Sequence, residues 1–171
     1  MPSANNNMIQ LRRALGRFAA GVTVVTTCVR TGGVFGLTVN SFSSISLDTP
    51  LVLWSINHMS RSLEEFRKAG RFAVNVLSTH RRDLATCFCA KISDRFAGID
   101  YELGELKVPL LPETIASFQC KTVSEHIAGG YLIVIGAITK FNHTDDPLFL
   151  LYCQGGFGTL DIGNNNELQQ I

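Results

Sequence analysis

Two glycine turns constrain most strongly what this chain can fold into. Thr31-Gly32-Gly33 separates the Val- and Thr-rich run Val22–Cys28 from Val34–Asn40, and Ala128-Gly129-Gly130 separates Phe118–Ile127 from Tyr131–Phe141. Runs rich in β-branched and aromatic residues, joined by a few residues that tolerate positive φ, predict antiparallel hairpins. Leu51–Ile56 is nearly all apolar and is expected to be a strand buried on both faces. Phe72–Leu77 adds another strand, and Leu148–Cys153 follows the turn at Asp145-Asp146-Pro147. Helices enter only as inserts. Leu11, Ala14, Leu15 and Phe18 repeat at helical spacing up to Gly21, and Asp83–Ala90 reads as a further helix. Between them, Ser62 and Glu65 have the form of a capping box for a helix closed at Gly70. Six or seven strands in meander order, with no strand–helix alternation, predict a mainly β fold, a closed antiparallel barrel with a few peripheral helices. One domain over residues 11–160 accounts for the 171 residues, with tails at 1–10 and 161–171.

The densest chemistry lies in GLTVNSFSSISLDTPLVLWSI, Gly36 to Ile56. Thr38, Asn40, Ser41, Ser43, Ser44 and Ser46 crowd between two strands, and such groups are either satisfied internally or face a ligand. Turn chemistry suffices for Ser44 and Ser46. No acid, base or metal ligand precedes Asp48, so this cluster suits holding a flat, heteroatom-rich ligand rather than activating water. Ser60-Arg61-Ser62 stands at a helix start, where free N–H groups and a guanidinium fork make a phosphate site. Lys91 and Arg95 are further cations at the expected rim.

Composition excludes other classes. A net charge of +1 argues against a nucleic-acid footprint, and no apolar run approaches the roughly 20 residues of a membrane span. MPSANNNMIQ lacks the form of a secretory signal, so a cytoplasmic location is expected. Cys28, Cys87, Cys89, Cys120 and Cys153 form no paired framework, and neither they nor His58, His80, His126 and His143 have metal-ligand spacing. No G-x-G-x-x-G follows a first strand, so a Rossmann dinucleotide site is not expected.

The order LRRALGRFAAGVTVVTT, GLTVNSFSSISLDTPLVLWSI, SRSLEEFRKAGRFAVNVLS and DRFAG closely resembles the short-chain flavin reductases, from about Leu11 to about Leu160. The resemblance implies an FMN-binding split β-barrel, a homodimer with flavin near its interface, and FMN or FAD reduced by NADH or NADPH. It further implies a separate flavin-dependent monooxygenase that receives the reduced flavin. It places Gly36, Leu37, Thr38, Val39, Asn40 and Ser41 at the flavin, with Thr38, Asn40 and Ser41 on the isoalloxazine and ribityl chain. Ser55, Ile56, Asn57, Ser60, Arg61, Ser62, Lys91, Arg95 and Phe96 complete that expected set. Glycine at position 36 would let a ligand approach the backbone closely. Hydride transfer between two stacked cofactors needs no catalytic side chain, and none stands out.

Two departures concern the nicotinamide side. The family's G-D-H reads Gly129-Gly130-Tyr131 here, and its G-x-Y-R-like stretch appears as Gly156-Phe157-Gly158. Tyr131 and Phe157 are therefore the expected nicotinamide-facing residues. The loss leaves a non-catalytic flavin carrier, or a flavin-retaining oxidase or oxygenase, as alternatives to the reductase.

Overall fold

The computed structural model describes residues 4–145 and 148–160. In chain order the elements are α1 (Ala4–Leu15), β1 (Ala20–Gly21), β2 (Thr23–Cys28), β3 (Val34–Val39), β4 (Ser43–Ser46) and β5 (Leu51–Asn57). Then follow α2 (Leu63–Ala69), β6 (Arg71–Leu77), α3 (Arg82–Cys89), β7 (Glu102–Leu103) and β8 (Pro109–Leu110). Last among the described residues are β9 (Thr114–Ala128), β10 (Tyr131–His143), β11 (Leu151–Cys153) and β12 (Gly156–Gly158). Seven strands form one antiparallel sheet in the order β3-β2-β6-β9-β10-β5-β4.

The two edge strands of that sheet, β3 and β4, are neighbours in sequence, joined only by Asn40–Phe42. Among the described residues no ladder joins β3 to β4, and a side chain continues the β4–β5 register into the linker. Ser41 Oγ accepts the Ser55 N–H at 2.9 Å. This is where the barrel is split.

β2 runs through the middle of the protein and is buried along its whole length. Successive side chains of a strand point to opposite faces. Val25 accordingly enters one core with Trp54, Phe66 and Phe72, while Val22 and Val24 enter a second with Leu84, Phe88 and Phe96. The three buried threonines of β2 all donate to carbonyls: Thr23 to Val39, Thr26 to Pro109 and Thr27 to Arg71. The buried Asn75 amide donates to Val24 O and accepts from Leu111 N at 3.0 Å each, pinning the long connection before β9 to the barrel wall. α2 caps the first core through Phe66, whose ring meets Trp54 edge-on at 5.1 Å. In β10, Gly136 lies against Phe72; a Cβ there would stand 2.5 Å from the ring.

Several expectations are corrected. The first helix begins at Ala4 and ends at Leu15, so residues 4–10 are helical rather than a frayed tail. Its apolar positions Met8, Leu11 and Leu15 are exposed and do not enter the barrel core. Ser43–Ser46, read as a turn-rich cluster, is the edge strand β4. β5 is fully buried only at Val52, Trp54 and Ile56, with its other face half-covered. The capping box is not formed: Ser62 sits at φ −92, ψ −2, a helical conformation, with no side-chain cap bond. Gly70 does close α2 in the left-handed conformation, at φ 61. The final strand starts at Leu151, and the expected turn there includes Asp146 and Pro147, which lie outside the described residues, as does the C-terminal tail at 161–171.

Candidate active site

β3 is an edge strand, and among the described residues one of its edges meets no other strand. Along an antiparallel edge, alternate residues turn both backbone groups toward or away from the neighbouring strand. The Gly36 carbonyl is bound by Arg95 Nη1 at 2.9 Å, so it faces away from β2, and by the same alternation so do the backbone groups of Thr38. Arg95 Nε also donates to Ala90 O at 2.9 Å. One guanidinium fork therefore ties the segment after α3 to the free edge of β3. The use of glycine at position 36 differs from expectation: a Cβ would meet the Phe88 ring at 2.5 Å, so the missing side chain makes room for the core and not for a ligand.

Two open clefts meet at this junction. One, of about 280 Å³, lies beside Val34, Phe35, Gly36, Ser62 and the segment Ile92–Phe96. The other, of about 530 Å³, lies beside Asn57, Met59, Ser60, Cys89 and Lys91. Arg61, Ile92 and Arg95 belong to both. Arg61 and the pair Lys91 and Arg95, distant from it in sequence, thus surround one space with Ser60 and Asn57. Ser60 Oγ accepts the Ser62 N–H at 3.4 Å and Asn57 Oδ1 the Met59 N–H at 2.8 Å, which fixes the turn that presents Arg61. α2 is only seven residues long, so the cations supply most of the positive potential.

The remaining expected residues divide by what holds them. Thr38 Oγ1 donates to Ala85 O at 2.7 Å, and Ser41 is engaged with Ser55; both hydroxyls already serve the fold. Val39 and Ile56 are buried in the first core and Leu37 packs against it, so Val39 and Ile56 offer a ligand only backbone. Phe96 is buried edge-on against Phe88 at 5.0 Å, forming the floor beneath the smaller cleft. Asn40 is exposed at the split, with its side chain free to turn outward. Tyr131 opens β10 directly opposite Asn57, half-exposed, while the His58 N–H bonds Gly130 O at 3.0 Å and holds the hairpin tip there. Phe157 lies elsewhere: it packs under Arg82, 5.0 Å from ring centre to guanidinium, at the opposite end of α3 from Cys89. The eight helical residues of α3 put its ends about 10 Å apart.

Sequence reading missed Val34, Phe35, Ile92, Ser93 and Asp94 as lining residues. The one available signal was Ile92, an isolated apolar residue among Lys91, Ser93 and Asp94. Cys120 is buried, which pushes its thiol up to about 12 and leaves it inert. Among the described residues, no group of His, Cys, Asp or Glu is placed to hold a metal ion.

A family profile described as "Flavin reductase like domain" matches residues 15–161. The chain belongs to that family. It is 40% identical over 159 residues to the FMN reductase (NADH) SmoA of Agrobacterium fabrum, covering 92% of this chain and 88% of that protein. It is 42% identical over 149 residues to a probable flavin reductase of Rhizobium meliloti, covering 87% of this chain but 48% of that protein, and so spans about half that relative's length. Among solved structures, a nitrilotriacetate monooxygenase component B homologue from Mycobacterium thermoresistibile superimposes with a TM-score of 0.92. That match has 30% identity and covers 99% of this chain and 95% of the other. The split β-barrel is thus the fold shared by this family.

The polar groups beside the two clefts are of the kinds a flavin would need. A flavin carries a phosphate, a hydroxylated chain and a ring edge that alternates acceptors with an N–H donor. The clefts offer Arg61 and Lys91 for the phosphate, Ser60 and Asn57 for hydroxyls, and the outward backbone groups of β3 for the ring edge.

Proposed function

We propose that this chain is an NADH-dependent flavin reductase that passes reduced flavin to a separate monooxygenase. The observation that supports it best is the convergence of Arg61, Lys91 and Arg95 on one space beside the free edge of β3. When bound, the flavin supplies the hydride-accepting chemistry. The protein's residues bind and orient. Arg61 and Lys91 hold the phosphate, Asn57 and Ser60 the ribityl hydroxyls, and the β3 edge the pyrimidine side of the ring. Tyr131, facing Asn57 across the β5–β10 ladder, presents its ring where a nicotinamide would stack. None of these roles moves a proton, in keeping with a transfer that depends on contact distance between two bound groups.

The assembly we infer is a homodimer. Phe18 and Leu47 are 82% and 92% exposed, and Ile127 and Phe141 on the long β9–β10 hairpin are also uncovered. Large apolar side chains of this kind would gain by burial against a second copy of the chain.

Steady-state oxidation of NADH and NADPH, titrated with FMN and then FAD, tests the activity, with anaerobic bleaching of the flavin as control. Saturable NADH oxidation is expected. Flavin binding without nicotinamide oxidation would overturn the reductase and leave a carrier, or a flavoenzyme that retains its flavin. Substrate-stimulated oxygen consumption would then separate those two.

A further inference from the structure

We propose that the cleft between the end of α1 and the β11–β12 turn binds a small polyanion, a molecule bearing two or more phosphate or carboxylate groups. The cleft has a volume of about 520 Å³ and is lined by Arg12, Arg13, Gly16, Arg17, Gln154 and Gly155. It shares no lining residue with the two clefts assigned to flavin, so the assignment does not rest on that reading. Three observations carry it.

The first is uncompensated charge. Half of the lining residues are arginines and none is an acid. Elsewhere cations are balanced: Arg67, Lys68, Arg81 and Lys140 each face a carboxylate, and Arg95 is bonded to two carbonyls. Among the described residues, none of Arg12, Arg13 and Arg17 takes part in an ion pair. In a chain of net charge +1, three guanidinium groups around one concave space are a local excess. They repel one another until an anion sits among them, and each fork can hold two oxygens of a phosphate or carboxylate.

The second is that the helix does not need them as caps. Basic residues in a last turn can bond the final carbonyls and complement the dipole. Here the carbonyls of Arg12, Ala14 and Leu15 accept the N–H groups of Gly16, Arg17 and Phe18, and Gly16 O accepts the Gln154 N–H at 2.7 Å. Backbone alone satisfies this end. Arg17 also stands beyond Leu15, the last residue of α1.

The third is a fixed frame. The Gln154–Gly16 bond docks the β11–β12 turn on the end of α1, and Cys153 Sγ donates to the same carbonyl at 3.5 Å. Glycine permits the approach, since a Cβ on Gly16 would stand 3.2 Å from Arg12 O. Gln154 and Gly155 turn the chain at φ 53 and φ 83, and the space beside Gly155 is open. Backbone therefore sets the concavity, and its volume lies within the roughly 300–1,000 Å³ of small-molecule sites. Helical residues advance about 100° each, so Arg13 is on the other side of α1 from Leu11 and Leu15, away from the exposed apolar face.

Isothermal titration calorimetry of the whole protein with pyrophosphate, citrate and orthophosphate tests the site. Physiological ionic strength, with a screening length of about 8 Å, suppresses diffuse attraction. Saturable binding of pyrophosphate or citrate is expected, the tighter of the two naming phosphate or carboxylate as the group recognised. Orthophosphate should bind at least tenfold more weakly. The double variant Arg13→Glu, Arg17→Glu should lose at least tenfold in polyanion affinity, with its circular dichroism unchanged and FMN affinity within twofold. Both side chains are exposed, so the reversal leaves the core intact. Arg61→Ala with Lys91→Ala should keep polyanion affinity. Absence of binding to wild type would overturn the proposal, as would orthophosphate binding as tight as pyrophosphate. Binding lost in Arg61→Ala, Lys91→Ala but kept in the charge reversal would put the anion in the flavin clefts instead. A polyglutamate peptide that binds more tightly than any small anion, through the same arginines, would give the cleft to an acidic protein partner and overturn the small ligand.

Discussion

Arginines 61 and 95 line the same two clefts and do different work there. Arg95 is committed: its fork bonds the carbonyls of Gly36 and Ala90, and a lysine cannot span two such acceptors. Hydrogen bonds from a charged donor are worth about 1.5–3 kcal/mol. Arg95→Lys is therefore expected to lower stability by about 2 kcal/mol, seen as a reduced urea midpoint, and to weaken flavin binding through the displaced loop. Arg61 is exposed and has no protein partner among the described residues. Arg61→Ala should change stability by less than about 0.5 kcal/mol, the usual range for surface sites, yet reduce flavin affinity at least tenfold. An Arg61→Ala protein with wild-type affinity would remove it from the phosphate site. Sequence marked both residues as basic and near the ligand. It could not separate them, because the carbonyls that occupy Arg95 belong to residues 5 and 59 positions away.

At the scale of elements, what could be read was what local chemistry decides. The Thr31–Gly33 and Ala128–Gly130 turns, the β2–β3 and β9–β10 hairpins and the Gly70 cap all stand where turn residues and β-branched runs put them. What failed depended on tertiary context. β4 consists of serines with one isoleucine, a composition no strand propensity favours, and it is a strand because β5 offers a ladder. The Ser62–Glu65 box failed for a related reason. The chain enters α2 through a preceding turn, with Leu63 N–H bonded to Ser60 O, and this holds Ser62 in helical dihedrals from which its hydroxyl makes no cap bond. A working N-cap serine contributes about 1 kcal/mol. Ser62→Ala should consequently cost less than about 0.5 kcal/mol in urea denaturation. A full capping loss would show that the box forms in solution.

At the scale of the molecule, several large apolar side chains stay exposed on the single chain. α1 carries Met8, Leu11 and Leu15 on a face turned away from the barrel, and a helix of 12 residues is marginal without packing. Leu47, just after β4, and Phe141, on β10, are equally uncovered. A specific interface buries about 1,600 Å² in total, and a two-fold axis would bring the same surface of each protomer to the other. Wild-type protein is expected to sediment at twice the 18.7 kDa chain mass at micromolar concentration. Leu47 and Phe141 lose little water contact when the single barrel folds, so charging them leaves the barrel's own core intact. The double variant Leu47→Glu, Phe141→Glu should hence stay folded by circular dichroism while sedimenting as a monomer. If the flavin lies beside the interface, as the family resemblance implies, this monomer should bind flavin at least tenfold more weakly. A wild-type monomer would sink the dimer. A monomeric variant with undiminished affinity would instead show that Arg61, Lys91 and the β3 edge of one chain suffice to hold the ligand.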